Sequence, residues 1–252
     1  DALPILSIRQ YANRVAVASL GNTPTAASIA PAANNATDRL TRNFYDADGL
    51  LQGSLDAEGY LTEHRYTASG LRYITIRYAT AVAAASLGNA TLASLRPKVA
   101  AQDVSTIRIF DGMGQVQAEI DAEGYVTTFK YNAMGLVSES KRFATKLSQS
   151  AINLAKSQPI SISQLVLPKA NSQDQVTQTA YDALGRASIS TDYLGTRTEF
   201  AYDEVGNLVK TTRAVGTSDA SSLAKRYDVQ GRVIAELSAT GYALIAAGMT
   251  TE

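Results

Sequence analysis

Glycines recur along this chain at two alternating intervals, ten residues and then eleven. The pattern stands three times in full and a fourth time in part. Its positions are Gly49, Gly59, Gly70; Gly114, Gly124, Gly135; Gly185, Gly195, Gly206; and Gly231, Gly241. With only 17 glycines in 252 residues, this register is not a product of composition. A fixed internal period indicates a repeat architecture, in which each unit is one supersecondary element.

Most of these glycines close a four-residue cluster of the form Asp-x-x-Gly. Asp favours the first position of a turn, because its side chain accepts a hydrogen bond from a backbone N–H two residues on. Gly supplies the positive φ that a hairpin turn requires. We therefore predict structural turns at the clusters. The predicted turn residues are Asp46, Gly49, Asp56, Gly59, Gly70, Asp111, Gly114, Asp121, Gly124, Gly135, Asp182, Gly185, Asp192, Gly195, Asp203, Gly206, Asp228, Gly231 and Gly241.

The segments between the turns alternate with a period of two, which is typical of strands that have one packed face and one wetter face. In the first copy one parity reads Leu51, Gly53 and Leu55, and the same parity is apolar or small in the other copies. Short strands joined by tight turns predict an antiparallel meander of roughly a dozen strands and not a βαβ fold.

Variable segments separate the hairpins. The hairpin blocks are predicted at 41–78, 107–143, 178–214 and 226–252. The inserts are predicted at about 11–40, 79–106, 144–177 and 215–225, within one array over 1–252. Their varying length is typical of excursions outside a sheet. Their Ala, Leu and Ser content predicts short helices from Ala12 to Leu20 and from Ser148 to Lys156.

Composition excludes several classes of protein. Lys+Arg and Asp+Glu both number 23, so a nucleic-acid or anionic-membrane surface lacks its basic excess. The chain has no cysteine, which excludes disulfides, thiolate metal sites and cysteine nucleophiles. No apolar run is long enough to span a bilayer. Because the chain begins without Met or a signal peptide, we expect it to be a piece or processed product of a longer protein.

The single histidine, His64, lies downstream of Asp56 and Glu58 and could act as a general base or metal ligand. The repeat argues against this, because Phe129 and Phe200 occupy the same slot in the other full copies. A catalytic residue is not interchangeable with phenylalanine within one array. We therefore predict that His64 fills an aromatic position.

A calcium loop is the other candidate site, at Asp46 to Gly49. An EF-hand loop needs further oxygen ligands and a closing Glu, but Leu50 and Leu51 follow here. The slot of Asp48 holds unrelated side chains in other copies, at Met113, Leu184 and Gln230. No phosphate-binding or dinucleotide-binding loop is present either. The sequence thus predicts no catalytic, cofactor-binding or metal-binding residue and no enzymatic activity.

The 13 tyrosines recur at the starts and ends of the predicted strands. Aromatic rows on a sheet could stack on sugars. The alternative is cross-strand packing, with the hydroxyl reaching water at the edge of the sheet. Placement that repeats in register favours packing.

The motif Tyr-Asp-x-x-Gly-Arg stands at Tyr181–Arg186 and at Tyr227–Arg232, and without Arg at Tyr45, Tyr202 and, with Phe for Tyr, Phe110. It resembles the YD repeat of the RHS family. The resemblance implies a β-hairpin strip that spirals into a hollow shell, as in bacterial polymorphic toxins, toxin-complex cocoons and teneurins. In the toxins the shell encloses an effector. The Asp-Pro-x-Gly motif of the self-cleaving members is missing, so the protease is not implied.

We therefore expect an all-β chain, an antiparallel β-hairpin repeat sheet curved into part of an RHS-type shell or spiral, with partly helical or loop inserts. The expected function is a non-catalytic wall segment of a secreted or surface bacterial protein. Its expected partners are neighbouring repeats, other subunits or an enclosed effector. An adhesin or filament that binds glycans or surface proteins is the alternative. The apolar ending from Gly241 is expected to form an unpaired edge or a subunit contact.

Overall fold

The structure is a computed structural model that describes residues 6–15, 20, 22–34, 37–83 and 90–246, with side chains as far as 242. Within these residues an antiparallel sheet of fifteen strands follows the order of the chain, which confirms the all-β hairpin fold. The strands are β1 (Ser7–Gln10), β2 (Arg39–Tyr45), β3 (Leu51–Leu55), β4 (Leu61–Tyr66), β5 (Arg72–Arg77), β6 (Val104–Phe110), β7 (Val116–Ile120), β8 (Val126–Tyr131), β9 (Val137–Arg142), β10 (Gln175–Tyr181), β11 (Ala187–Thr191), β12 (Arg197–Tyr202), β13 (Leu208–Arg213), β14 (Ser221–Tyr227) and β15 (Val233–Leu237).

Two compact units divide the chain. The first consists of Asp1–Gly124 with Ser148–Leu165 and holds β1 to β7, helix α1 (Leu92–Leu95), helix α2 (Gln149–Ser157) and a 3₁₀ helix. The second consists of Tyr125–Leu147 with Val166–Glu252 and holds β8 to β15 and helix α3 (Ala239–Ala246). Within each unit every strand pairs with its neighbours in the chain.

The strands that open the hairpin blocks begin earlier than the sequence predicted. They extend into the predicted inserts because their first residues still pair with the preceding strand. Thus Val104 pairs with Arg77, and Ser221 pairs with Arg213. β1, which pairs with β2, has no counterpart in the prediction.

Connections alternate between two edges of the strands in each unit, because neighbouring strands run antiparallel. One edge, here called the tyrosine edge, has only tight turns that follow a tyrosine or phenylalanine. These turns are 46–49, 67–70 and 111–114 in the first unit, and 132–135, 182–185, 203–206 and 228–231 in the second. The other edge, here called the insert edge, has the tight turns 56–59, 121–124 and 192–195 and all of the inserts.

A buried apolar core lies on the sheet of the first unit. Leu55 and Leu61 are almost fully buried and pack with Leu95 of α1. Gly53 leaves room for the insert that contains α1, since a Cβ placed at Gly53 would lie 2.9 Å from a methyl carbon of Leu92. The predicted apolar face is therefore confirmed in this unit. Gly53 and Leu55 are buried in the first copy, and Ala118 and Ile120 are buried at the corresponding positions of the second copy.

The same parity is less buried in the second unit. Ala187 and Ile189 are half-buried, and Val233 and Ala235 are exposed. The connection from β13 to β14 is only a few residues long and contains no helix among the described residues. An apolar face common to all four copies therefore does not make a core of equal depth in each.

The predicted helix at Ser148–Lys156 is confirmed as α2, with the Ser148 hydroxyl accepting a hydrogen bond from the N–H of Ala151. The other predicted helix, from Ala12 to Leu20, is not present at residues 12–15, and residues 16–19 lie outside the described residues.

The predicted turn at Gly241 is wrong, because Gly241 lies within α3. Ser238 occupies the slot that Asp holds in other turns, and its hydroxyl oxygen accepts a hydrogen bond from the N–H of Gly241 at 3.2 Å. That is the geometry of a helix N-cap. The Ala-rich run that follows continues as helix instead of returning as a strand.

Candidate functional site

Most of the tight turns are held by the carboxylate of an Asp at the start. In the turn that begins at Asp182, one carboxylate oxygen accepts hydrogen bonds from the N–H groups of Leu184 and Arg186, both at 2.9 Å. The N–H of Gly185 donates to the carbonyl of Asp182 at 3.0 Å, and the N–H of Asp182 donates to the carbonyl of Arg186 at 2.8 Å. The reversal of the chain therefore leaves these N–H groups satisfied without water.

The same pair of carboxylate hydrogen bonds recurs around the sheet. It is present at Asp46, Asp56, Asp111, Asp192, Asp203 and Asp228. Asn132 makes the same pair through its amide oxygen, and Thr67 substitutes its hydroxyl, which accepts from the N–H of Leu71 at 3.0 Å. The glycine that ends each of these turns has a φ between +76° and +97°.

The second carboxylate oxygen explains the arginine of the longer motif. The Nε atoms of Arg186 and Arg232 donate to the carboxylates of Asp182 and Asp228 at 2.7 and 2.6 Å. Hydrogen bonds from the backbone of Arg186 and from its side chain lower the pKa of Asp182, although partial desolvation opposes them. The Nε group of the arginine thus completes its own turn.

Tyrosines that precede four of these turns each latch the neighbouring strand. The hydroxyl of Tyr202 donates to the carbonyl of Ala187 at 2.9 Å, and Ala187 is the first residue of β11. The acceptor is in every case the first residue of the adjacent strand. The other latches are Tyr66 to Leu51 at 2.7 Å, Tyr181 to Val137 at 2.8 Å and Tyr227 to Leu208 at 3.0 Å.

These latches correct an expectation from the sequence. The hydroxyl was predicted to reach water, whereas it donates to a backbone carbonyl. Turns at the tyrosine edge join alternate pairs of neighbouring strands. Each of the four latches joins a pair of strands that has no turn at this edge. The sequence signal was present, since each latched tyrosine directly precedes its turn, but its acceptor lies on another strand and has no fixed residue type.

A β-bulge accompanies each of these turns and was also missed. The strand register shifts at the residue before the aromatic position, for example between Ala201 and Tyr202 and between Ala180 and Tyr181. One strand therefore holds an extra residue beside every tyrosine-edge turn, which increases the local twist. No register shift accompanies the pairing of β3 with β4 or of β11 with β12, which are joined at the insert edge.

A buried charged cluster fastens the insert between β5 and β6. Glu63 of β4 is 2% exposed and accepts hydrogen bonds from Arg96 through both carboxylate oxygens, each at 2.9 Å. Arg65 donates to it at 3.0 Å and the hydroxyl of Tyr78 at 2.7 Å. Arg96 directly follows α1. Every buried polar side-chain atom has a partner within the described residues, so this cluster is a satisfied clamp.

The clamp keeps Glu63 charged. Burial by itself raises the pKa of Glu63, but the hydrogen bonds from Arg96, Tyr78 and Arg65 outweigh it and lower the pKa below the usual value. Burial and the adjacent carboxylate together raise the pKa of Tyr78 to about 12. Tyr78 therefore stays a donor and Glu63 an acceptor near neutral pH, and neither group is poised to exchange a proton there.

The hydrogen-bond partner of His64 lies on β5 and is none of the acidic residues that precede it in the sequence. The Nδ1 of His64 is 3.1 Å from the hydroxyl oxygen of Thr75, and the residue is 8% exposed. Burial and the charge of Arg72 lower its pKa. Glu63 points to the opposite face, since successive side chains of a strand alternate. Its counterparts Phe129 and Phe200 are half-buried.

Neither candidate for metal chemistry is assembled by the fold. Asp46 uses its carboxylate within its own turn, and Asp48 is exposed. Among the described residues no group of three or more His, Asp or Glu side chains could hold a metal ion. In the same part of the chain no helix has both the length and the apolarity to cross a membrane.

Comparisons with known proteins agree with this geometry. Residues 181–218, which include the latched tyrosines Tyr181 and Tyr202, match the family model described as RHS Repeat. The crystal structures of TcdB2-TccC3-Cdc42, of TcdB2-TccC3, and of TcdB2-TccC3 without its hypervariable C-terminal region each match with a TM-score of 0.52 and 16% identity. Each match covers 79% of this chain and only 9% of the matched chain. No curated protein sequence matches.

Proposed function

We propose that this RHS-repeat protein is a non-catalytic wall segment, whose sheet encloses or supports another part of a larger assembly. The observation behind the proposal is the repeated tyrosine-edge turn. Its carboxylate, glycine and tyrosine hydroxyl all bond to the backbone of the sheet itself. A motif whose polar groups are used up internally suits a strip that extends by adding repeats, in which each hairpin rests on its neighbours.

The neighbours in fold support the same reading. The matched structures are of TcdB2-TccC3 assemblies, in which more than one component is present. By analogy, the partners of this chain are neighbouring repeats of a longer protein, other subunits, or an enclosed effector. The same analogy suggests a secreted or surface-exposed bacterial protein. The predicted turn residues act in this proposal as the elements that set the strand register of the wall.

Protease protection within the intact protein tests the proposal. The protein would be purified with all of its natural flanking sequence, imaged by electron cryomicroscopy and treated with protease. We expect the repeats to form a wall around an internal volume whose contents survive protease that cuts exposed linkers. An open strip with no enclosed material, cut at the same rate throughout, would rule out enclosure.

An adhesin that binds glycans is the second candidate, and exposed aromatic side chains favour it. Tyr193 is 54% exposed at the turn that begins at Asp192, and its hydroxyl is not latched. Tyrosines that donate to the backbone offer only a ring face to a sugar. Binding on a glycan array that is lost on Tyr193→Ala would support this function, whereas no binding across a broad panel would leave the wall proposal standing.

A further inference from the structure

Four successive turns of the tyrosine edge in the second unit each expose an apolar side chain at the tip. The side chains are Met134, Leu184, Val205 and Val229, and all are at least half exposed. Met134, Leu184 and Val205 directly precede the turn glycine, whereas Val229 stands one position earlier in its turn. The position before the glycine is polar in the first two tyrosine-edge turns, at Asp48 and Ser69, and holds the exposed Met113 in the third. Strands lie about 4.8 Å apart, so successive turns on one edge repeat every ~10 Å. The four tips therefore form one apolar row about 30 Å long.

Exposed apolar side chains that gather on one part of a surface are a feature of interaction sites. The turns do not need apolar tips, because the side-chain oxygen of the first residue and the glycine at the end hold each turn whatever stands between them. The insert edge of the same unit has a single tight turn, 192–195, which joins β11 to β12. Its tip, Leu194, is also exposed, but among the described residues of this unit only the tyrosine edge has several such tips in succession.

We propose that this row is the contact surface for a second copy of the chain, related by a two-fold axis between the turns 182–185 and 203–206. A two-fold axis at that position reverses the order of the four turns. Leu184 then faces Val205 of the other copy, and Met134 faces Val229. Every apolar tip meets an apolar tip at the same ~10 Å spacing.

Charge at the position of the axis is self-complementary. Glu204 is exposed beside Val205 and has no ion-pair partner among the described residues. The guanidinium of Arg186 lies between the two central turns, over the ring of Tyr202 at 4.4 Å and with Nη1 3.8 Å from a Cβ placed on Gly206. Only its Nε is used by Asp182, so its outer N–H groups remain as donors.

The two-fold arrangement therefore places two arginines and two glutamates alternately around the axis, with Arg186 of each copy facing Glu204 of the other. Pairing without reversal would instead place like charges opposite each other. A contact ~30 Å long and one turn wide buries less surface than the roughly 1,200 Å² of a stable complex. The association is accordingly weak and appears only at high protein concentration.

Sedimentation equilibrium over about 10 μM to about 1 mM measures this association, with Leu184→Glu as the disrupting variant. The matched control is Leu194→Glu. Leu184 and Leu194 are 74% and 75% exposed and both directly precede the glycine of an Asp-x-x-Gly turn, but Leu194 is on the insert edge. We expect the wild type and Leu194→Glu to dimerise with equal affinity and Leu184→Glu to bind at least tenfold more weakly. Glu204→Lys is expected to weaken binding similarly.

Cysteine capture tests the register without relying on a disrupting substitution. The chain has no cysteine, so Leu184→Cys and Val205→Cys in one chain provide the only two thiols. Within one copy they stand ~10 Å apart, beyond the ~7 Å between Cα atoms that a disulfide tolerates. We expect a disulfide-linked dimer on oxidation, shown to be intermolecular by mixing ¹⁴N and ¹⁵N protein, and none with Leu194→Cys replacing Leu184→Cys.

Three outcomes would overturn the proposal. One is a monomer up to the highest concentration with no captured dimer. Another is a dimer that Leu184→Glu leaves unchanged while its far-UV circular dichroism stays native. The third is equal capture by both cysteine pairs. If Leu184→Glu does not fold, the cysteine pair alone decides.

Discussion

Replacing Tyr202 with phenylalanine removes one oxygen atom and therefore one latch. The hydroxyl donates to the carbonyl of Ala187 at 2.9 Å, while the ring packs under the guanidinium of Arg186 at 4.4 Å. Phenylalanine keeps the ring contact. The native chain already tolerates this change, since Phe110 stands at the equivalent position before the turn that begins at Asp111.

The expected loss of stability in Tyr202→Phe follows from the carbonyl of Ala187, which is left without its hydrogen-bond donor. A net hydrogen bond contributes about 0.5–1.5 kcal/mol, and a carbonyl left without a partner at a partly buried site adds to the loss. We expect the unit that contains β11 and β12 to lose about 1–2 kcal/mol of unfolding free energy. Hydrogen exchange at the amides of β11 and β12 measures this locally, because a chain with two compact units need not unfold in one step.

Tyr193→Phe is the matched control. Tyr193 lies in the turn 192–195 of the same hairpin as Tyr202, but it is exposed and no latch involves it. A surface change of this kind is expected to stay within about 0.5 kcal/mol. The reasoning is refuted if the two variants exchange at the same rate, since the latch would then contribute nothing beyond the ring.

Three further predictions rest on other contacts. Gly185→Ala places a Cβ at a φ of +78° and should cost about 1–2 kcal/mol by urea denaturation, whereas Gly112→Ala, with open space and no positive φ, should be neutral. Phe110→Tyr should stabilise the first unit by about 1 kcal/mol by supplying the missing hydroxyl, measured in the same way; no gain would mean that the carbonyl there is out of reach. The folded-state pKa of Glu63 is lowered, so the stability from its clamp is present above the unfolded pKa of about 4.3 and is lost as the pH falls through the lower folded value. Unfolding free energies measured from pH 7 down to pH 3 should therefore fall less steeply for Glu63→Gln than for the wild type, and equal slopes would contradict the clamp.

The sequence predicted those parts of the fold that short-range chemistry determines. An Asp followed three residues later by Gly is enough to indicate a turn, and period-two alternation is enough to indicate the strands between. The same logic assigned His64 to an aromatic slot through Phe129 and Phe200. It failed at Gly241, where Ser238 in place of Asp caps a helix instead of starting a turn.

The contacts that the sequence could not predict join residues that are distant in the chain. Glu63 and Arg96 are 33 positions apart, and nothing in their spacing pairs them. The hydroxyl of Tyr181 donates to the carbonyl of Val137, which is 44 positions earlier in the chain because the insert between β9 and β10 separates them in sequence. A backbone acceptor has no residue type, so no motif can reveal it. The bulges were missed for a related reason. Every tyrosine-edge turn has one, so the spacing between glycines is the same in each copy and does not reveal the extra residue.

The division between the two edges has a consequence for how such a chain can change. At the tyrosine edge, adding a residue would move a latch, a bulge and a turn together, so the length there is fixed. At the insert edge, β13 and β14 are joined by a short connection, whereas β9 and β10 are joined by one that contains α2. Both pairs keep an unbroken antiparallel register. Foreign peptides of very different length could therefore be grafted between β13 and β14 without disturbing the strands on either side.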